Sequence, residues 1–157
     1  MLEPVIRKAE LKDVKQIEDL MRSFWKVDVD YAKELKNDEA VLLVAEIPQT
    51  SDDHDSRISG AVLMWVTRWN STGYLVEIAV RKEWQRKGIA KALLERLSVI
   101  SVDFGLRTII VETQTGNKDA IDFYLANGLR FCGSNDRYYT NHPKTAKDIA
   151  IFFSLDL

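Results

Sequence analysis

VRKEWQRKGIAKALLERL, residues 80–97, opens as the end of a strand, crosses a basic loop with one glycine and closes as an amphipathic helix. From Gly88 onward, Ile89, Ala92, Leu93, Leu97, Ile100 and Phe104 recur at helical spacing, and Gly105 stands where a helix C-terminus is expected. A helix start leaves backbone N–H groups unpaired and carries partial positive charge, so a loop with little side-chain bulk there suits a phosphate. The loop follows neither G-x-x-x-x-G-K-[ST] nor G-x-G-x-x-G; it reads Gln-x-x-Gly-x-Ala. Taken alone, that pattern equally fits a strand-to-helix turn with solvated basic residues.

Working outward, YLVEIAV reads as the strand before the loop, joined through the turn residues NSTG to a preceding antiparallel strand, ISGAVLMWVTRW. RTIIVET, beyond the helix, is expected to lie parallel to YLVEIAV because a helical crossover separates them. AVLLVAEI is a continuous apolar run and predicts a strand buried on both faces, ended by the polar loop PQTSDDHDS. Near the start, Pro4 to Lys8 reads as a short strand, and Val14, Ile17, Leu20, Met21, Phe24 and Trp25 predict a helix running through Trp25. A weaker helical piece spans Tyr31 to Lys36. NKDAIDFYLANG predicts a short helix closed by Gly128, followed by short strands around Phe131 and Tyr138 and a last strand through Ile149, Ile151, Phe153 and Leu155. The expected class is α/β (α+β): a single domain over residues 1–157 with a mixed sheet and helices on both faces.

Composition excludes several classes of function. A chain of 157 residues, 46% hydrophobic and 29% charged, supports one domain with a sizeable core. Its net charge of −2 gives no bulk attraction to nucleic acid or to an anionic membrane, so the basic residues Arg81, Lys82, Arg86, Lys87 and Lys91 are a local property of the loop. No signal-peptide pattern and no long apolar run appears, and the expectation is a cytoplasmic protein. The single cysteine, Cys132, reads as a small core residue. His54 and His142 lie in separate polar loops without ligand-spaced partners, so no metal is expected. Trp65, Trp69 and the aromatics of the first helix read as core.

IAVRKEWQRKGIAKALLERL, followed about 25 residues later by N-x-x-A-I-x-F-Y-x-x-N-G, resembles the GNAT superfamily of acetyl-CoA-dependent N-acetyltransferases. The likeness runs from about Tyr74 to the C-terminus, while the first half agrees only in its order of elements. It implies a largely antiparallel sheet of about six to seven strands with a splayed parallel pair, here YLVEIAV and RTIIVET, and pantetheine in the gap. By the same resemblance, backbone groups of Ile78, Ala79 and Val80 face the pantetheine, and amides of Gln85, Arg86, Lys87, Gly88, Ile89 and Ala90 hold the pyrophosphate. The small residues Gly88 and Ala90, with nearby positive charge, suit that task. Gln85 and Ala90 depart from the arginine and glycine that the family often carries there.

The resemblance also implies chemistry. Tyr124 falls where the family places the tyrosine that meets the CoA sulfur as general acid, although Ile121, Tyr124 and Leu125 share a helical face that must pack. Glu112, twelve residues earlier, matches the base of the ribosomal-protein N-terminal acetyltransferases and equally fits a strand carboxylate. Glu77 is the rival base, but strand alternation puts it on the opposite face from Tyr74 and Val76, where many members carry their carboxylate. Asn117 caps its helix and, by resemblance, contacts the cofactor. VETQTGNKDAIDFY with YYTNHPKTAKDIAIFF is similar to the streptothricin acetyltransferases, whereas Tyr138 and Tyr139 match the paired tyrosines that frame the peptide in protein Nα-acetyltransferases. The acceptor is thus a small cationic amine or a peptide N-terminus, and the chain a monomer or homodimer. Asp28, Asp30, Glu34, Asp38 and Glu39 either line the way in for a cation or form a solvated helix face. A module that binds acyl-CoA without catalysis is the alternative function.

Overall fold

The computed structural model describes residues 3–48, 57–145 and 149–157, and His54 lies outside them. Seven strands form one sheet: β1 (Val5–Lys8), β2 (Ala40–Ile47), β3 (Arg57–Thr67), β4 (Thr72–Val80), β5 (Thr108–Gln114), β6 (Arg130–Asn135) and β7 (Ala150–Asp156). Their spatial order is β1-β2-β3-β4-β5-β7-β6. Every neighbouring pair is antiparallel except β4 and β5, which the crossover helix α3 (Ile89–Asp103) makes parallel. The mixed sheet predicted from the sequence is the one observed.

Strand alternation sorts the core into two layers. Leu43 and Ala45 of β2, with Val62 and Met64 of β3, face α3 and meet Leu93, Leu97 and Ile100. Leu42 and Val44, with Ala61 and Leu63, point the other way, toward α1 (Val14–Arg22) and α2 (Tyr31–Glu34), and meet Ile17, Leu20, Met21 and Tyr31. The last helix, α4 (Lys118–Ala126), packs on the α3 side through Tyr124. Gly60 lets α3 approach closely: a Cβ there would meet Ile89 Cγ2 at 3.0 Å and the Ala79 carbonyl oxygen at 3.1 Å. On the opposite layer, Arg7 of β1 grips Asp13 at 2.7 and 3.0 Å and Glu46 at 2.5 Å, fixing the start of α1 against the sheet edge. Burial of Asp13 opposes its ionisation, but the Arg7 hydrogen bonds and charge outweigh it and hold the carboxyl below its ordinary range.

Several local expectations need correction. Helix α1 stops at Arg22, and Phe24 and Trp25 stand 37% and 39% exposed instead of extending a buried face. Trp65 and Trp69 are exposed rather than core. Cys132 is exposed as well; it lies on the edge strand β6 where the register slips between Phe131 and Gly133, so it faces no packed layer. Tyr138 belongs to no strand: β6 ends at Asn135 and the next strand begins at Ala150. The caps follow expectation. Gly105 and Gly128 take positive φ just past α3 and α4, and Asn117 Oδ1 accepts the Ala120 N–H at 3.2 Å.

Candidate functional site

The parallel pair opens like a fork. β4 and β5 are in register only over Thr72–Leu75 against Thr108–Val111; beyond Leu75 the β5-facing edge of β4 has no strand partner. β4 keeps β3 on its other side through Val80, and β5 keeps β7 through Gln114, so the gap lies between two well-held strands. Ile78, Ala79 and Val80 border it from β4.

At the wide end, the chain passes a short turn at Lys82–Trp84 and reaches α3. Gln85 Nε2 donates to the Val80 carbonyl at 3.1 Å, folding the loop back on the strand end. Arg86 and Gly88 both adopt left-handed backbone, with φ of 59° and 81°, which bends the chain so that α3 begins at Ile89. A Cβ on Gly88 would meet nothing within 4 Å, so the space over the helix start is open. The amides of Ile89 and Ala90 belong to the first turn and have no intrahelical acceptor. Arg86 and Lys87 are exposed beside them, Lys87 lying over the Trp84 ring at 4.5 Å. The loop therefore presents backbone donors, positive charge and free room, the features a diphosphate needs.

The two faces of the sheet meet at the fork. From the α3 side comes Tyr124, 6% exposed, its ring against Phe123 and Phe153 and its hydroxyl without a hydrogen bond among the described residues. Burial first, and the charge of Glu112 second, push its phenol up to about 12. From the opposite face, one residue past the last β4–β5 pair, comes Glu112. The Tyr139 hydroxyl donates to Glu112 Oε2. Tyr138 and Tyr74 share a hydrogen bond at 2.8 Å between their hydroxyls, and Tyr138 sets its ring edge-on to Tyr139 and Phe152. Burial is the first cause that raises the Tyr74 and Tyr139 phenols above their ordinary range, followed by the bonds to Tyr138 and Glu112 respectively. The Tyr124, Tyr74 and Tyr139 phenols keep their protons near neutral pH.

Glu77 is not where simple alternation puts it. β4 carries a bulge: Leu63 pairs with Glu77 and Met64 with Leu75, leaving Val76 unopposed. The extra residue turns both Val76 and Glu77 to the α1–α2 face, where Val76 packs on the second core layer and Glu77 accepts from Tyr31 at 2.5 Å and Trp25 at 3.1 Å. Glu77 therefore shares the face of Tyr74, Glu112 and Tyr139. Among the described residues, neither Glu77 nor Glu112 has a lysine or arginine within ion-pair distance.

The structure thus gathers Tyr124, Glu112, Tyr138, Tyr139 and Glu77 at one fork, with Gln85 to Ala90 at its wide end. The acidic residues of the first half are mostly engaged elsewhere. Asp30 caps α2 through the Lys33 N–H, Glu34 accepts from Asn37, and Glu39 pairs with Arg68. Tyr74, Trp25 and Tyr31 were not singled out from the sequence. Tyr74 carries a usable signal, since the resemblance puts a carboxylate at that strand position in many family members. His142 is exposed and donates its amide to Thr140, and among the described residues no group of His, Cys, Asp or Glu is arranged to hold a metal ion. Among the same residues, no helix is long and apolar enough to cross a membrane.

The family model of the Acetyltransferase (GNAT) family matches residues 11–129. Streptothricin acetyltransferase A of Bacillus subtilis (strain 168) is 31% identical over 87 residues, 55% of this chain and 50% of that protein; the match spans about half of that relative's length. A protein of Bacillus anthracis str. Ames, described as a streptothricin acetyltransferase and solved with acetyl coenzyme A, superposes with a TM-score of 0.81 at 21% identity, covering 99% of this chain and 98% of that one. The ribosomal-protein-S18-alanine N-acetyltransferase of Escherichia coli superposes with a TM-score of 0.75 at 21% identity, covering 98% and 93%. At that identity the two structures establish a shared fold.

Proposed function

This chain belongs to the Acetyltransferase (GNAT) family, and from that premise we propose that it moves an acetyl group from acetyl-CoA to a primary amine by direct transfer within a ternary complex. The observation that carries the reading is the fork, with Glu112 one residue past its last pair on one face and Tyr124 packed on the other, close enough for the Glu112 charge to raise its phenol. Acetyl-CoA supplies, when bound, an acetyl group activated as a thioester. Amides of Arg86 to Ala90 and the charges of Arg86 and Lys87 hold its diphosphate, while the unpartnered edge of β4 offers backbone groups to the pantetheine arm.

An aliphatic amine is protonated near neutral pH, so a proton must leave before its nitrogen can attack. Glu112 takes that proton, directly or through a water, a role supported by the Tyr139 hydroxyl that holds its carboxylate in orientation. At about 12, Tyr124 parts with its proton reluctantly. Its phenol serves by holding a hydrogen bond on the departing sulfur as negative charge builds there, completing transfer only late. Asn117 contributes by capping α4 and so fixing the helix that carries Tyr124.

For the acceptor, the charge balance favours a small cationic amine. Glu77 and Glu112 lie on one face without a basic partner among the described residues, and Tyr138 and Tyr139 add electron-rich rings suited to an ammonium group. Calorimetry with acetyl-CoA, in parallel with thiol release against polyamines, aminoglycosides, streptothricin and short peptides, tests the whole reading. Binding with release for a cationic amine is expected. Release with peptides alone would move the acceptor to a protein N-terminus, and absence of acetyl-CoA binding would overturn the proposal.

A further inference from the structure

Between α1 and α2 the chain runs from Ser23 to Asp30 without regular structure and is largely exposed. One hydrogen bond from this stretch and one from the first residue of α2 end on the same residue of the sheet. Trp25 Nε1 donates to Glu77 Oε1 at 3.1 Å, and the Tyr31 hydroxyl donates to Glu77 Oε2 at 2.5 Å. Tyr31 is fully buried while Trp25 is 39% exposed, so the carboxylate ties a buried anchor to an indole that is still partly open to solvent. The β4 bulge makes this possible, because with Val76 regularly paired, alternation from Leu75 would point the Glu77 side chain into the α3 layer.

Resting on the acetyltransferase reading, we propose that Glu77 is a positioning residue for the acceptor: it fixes Trp25 as one wall of the acceptor side, and the indole face receives the alkylammonium end of the amine. A carboxylate with each oxygen already accepting from a neutral donor is well placed to orient those donors, and its negative charge stays unpaired for the incoming cation. The indole is the best of the aromatic faces for a cation. Glu112, on the same face and held among the described residues through Tyr139, is left as the group that handles the reacting nitrogen.

The test uses the full chain, its Glu77→Gln, Trp25→Phe and Tyr31→Phe variants, and the amine that releases thiol fastest in the panel. Glutamine keeps one acceptor oxygen and loses the other; phenylalanine at position 25 keeps a ring without the N–H. Each is expected to raise the KM for the amine about tenfold, with kcat held within about twofold and acetyl-CoA affinity unchanged. A fall in kcat for Glu77→Gln at unchanged KM would make Glu77 the base and overturn the proposal. Equal loss of melting temperature and acetyl-CoA affinity, with no selective change in KM, would reduce it to a fold contact. A second readout is independent of turnover: the Trp25 indole N–H resonance, assigned by its loss in Trp25→Phe, should move in Glu77→Gln and stay fixed in Glu112→Gln. An unmoved resonance rejects the proposal, and failure of every amine to release thiol rejects the acetyltransferase reading while this resonance still decides the Glu77 contact.

Discussion

The two ends of the fork are built from different materials. At the α3 end the donors are main-chain amides, set by two left-handed residues and a helix start, with the charges of Arg86 and Lys87 beside them. At the α1–α2 face the groups are side chains, brought by five separate segments: Trp25, Tyr31, the β4 bulge, Glu112 and the pair Tyr138–Tyr139. A backbone site tolerates side-chain change but not change in φ, and a side-chain site behaves in the opposite way. The difference explains how one scaffold holds a constant donor while its acceptor varies.

Tyr124→Phe removes the hydroxyl but keeps the ring that packs on Phe153. We expect kcat to fall about a hundredfold, with acetyl-CoA affinity by calorimetry almost unchanged. Retained turnover would take the sulfur-side role away from Tyr124. Glu112→Gln comes next and tests the acceptor end alone. Turnover is expected to fall a few tens of times, within the usual range for a lost base. The charge of Glu112 is one cause that raises the Tyr124 phenol, so the variant should let that phenol ionise below about 12, a shift readable as phenolate absorbance missing from Tyr124→Phe. The sign carries over to stability. A phenol whose folded value exceeds the ordinary value of about 10 stabilises the fold fully below that pH and loses the contribution as pH climbs toward the folded value. The parent protein should therefore begin to lose stability above about pH 10, and Tyr124→Phe should flatten part of that fall.

Gly88→Ala sharpens the comparison from the donor end. The added methyl meets nothing within 4 Å, so its cost lies in holding alanine at a φ of 81°. That cost is about 1–2 kcal/mol, and the expected result is acetyl-CoA affinity about tenfold weaker with KM for the amine unmoved. Gly88→Asn, which tolerates the left-handed region, should recover much of the loss. If Ala and Asn behave alike, the loop's backbone conformation is not what holds the diphosphate.

This same contrast decided what could be read from the chain. The donor end follows from local rules: apolar period from Ile89 to Ile100, a glycine past the close of α3, and a crossover that forces β4 and β5 parallel. Asn117 as a cap is equally local. The acceptor end is not. The bulge that turns Glu77 exists only in the pairing of β4 with β3, where Leu63 and Met64 skip one residue, and nothing within YLVEIAV marks it. Trp25 fits the helical period of α1 but falls beyond its last turn, because the chain breaks from the helix at Ser23 to reach Tyr31. Tyr138 reads as strand by composition, yet it is held in a turn by Tyr74, whose position is 64 residues away. Long-range partners fix these residues, and single-sequence periodicity does not register them.

The smallest expected effect tests whether the fork is the whole of the chemistry. Cys132 is the chain's one thiol and, contrary to a core assignment, it is exposed. An exposed thiol invites the thought of an acetyl-enzyme relay, in which sulfur takes the acetyl group before the amine does. Such a relay needs a base beside the thiol and a short path to the donor. Cys132 instead sits at a register slip on the sheet's outermost strand, with β7 between β6 and the β5 side of the fork. Direct transfer therefore predicts that Cys132→Ser changes kcat by less than about twofold and that alkylation of the thiol leaves turnover intact. A large loss in the serine variant, with acetylated thiol trapped in the parent on mixing with acetyl-CoA alone, would replace the single fork by two successive sites and displace Glu112 from the first of them.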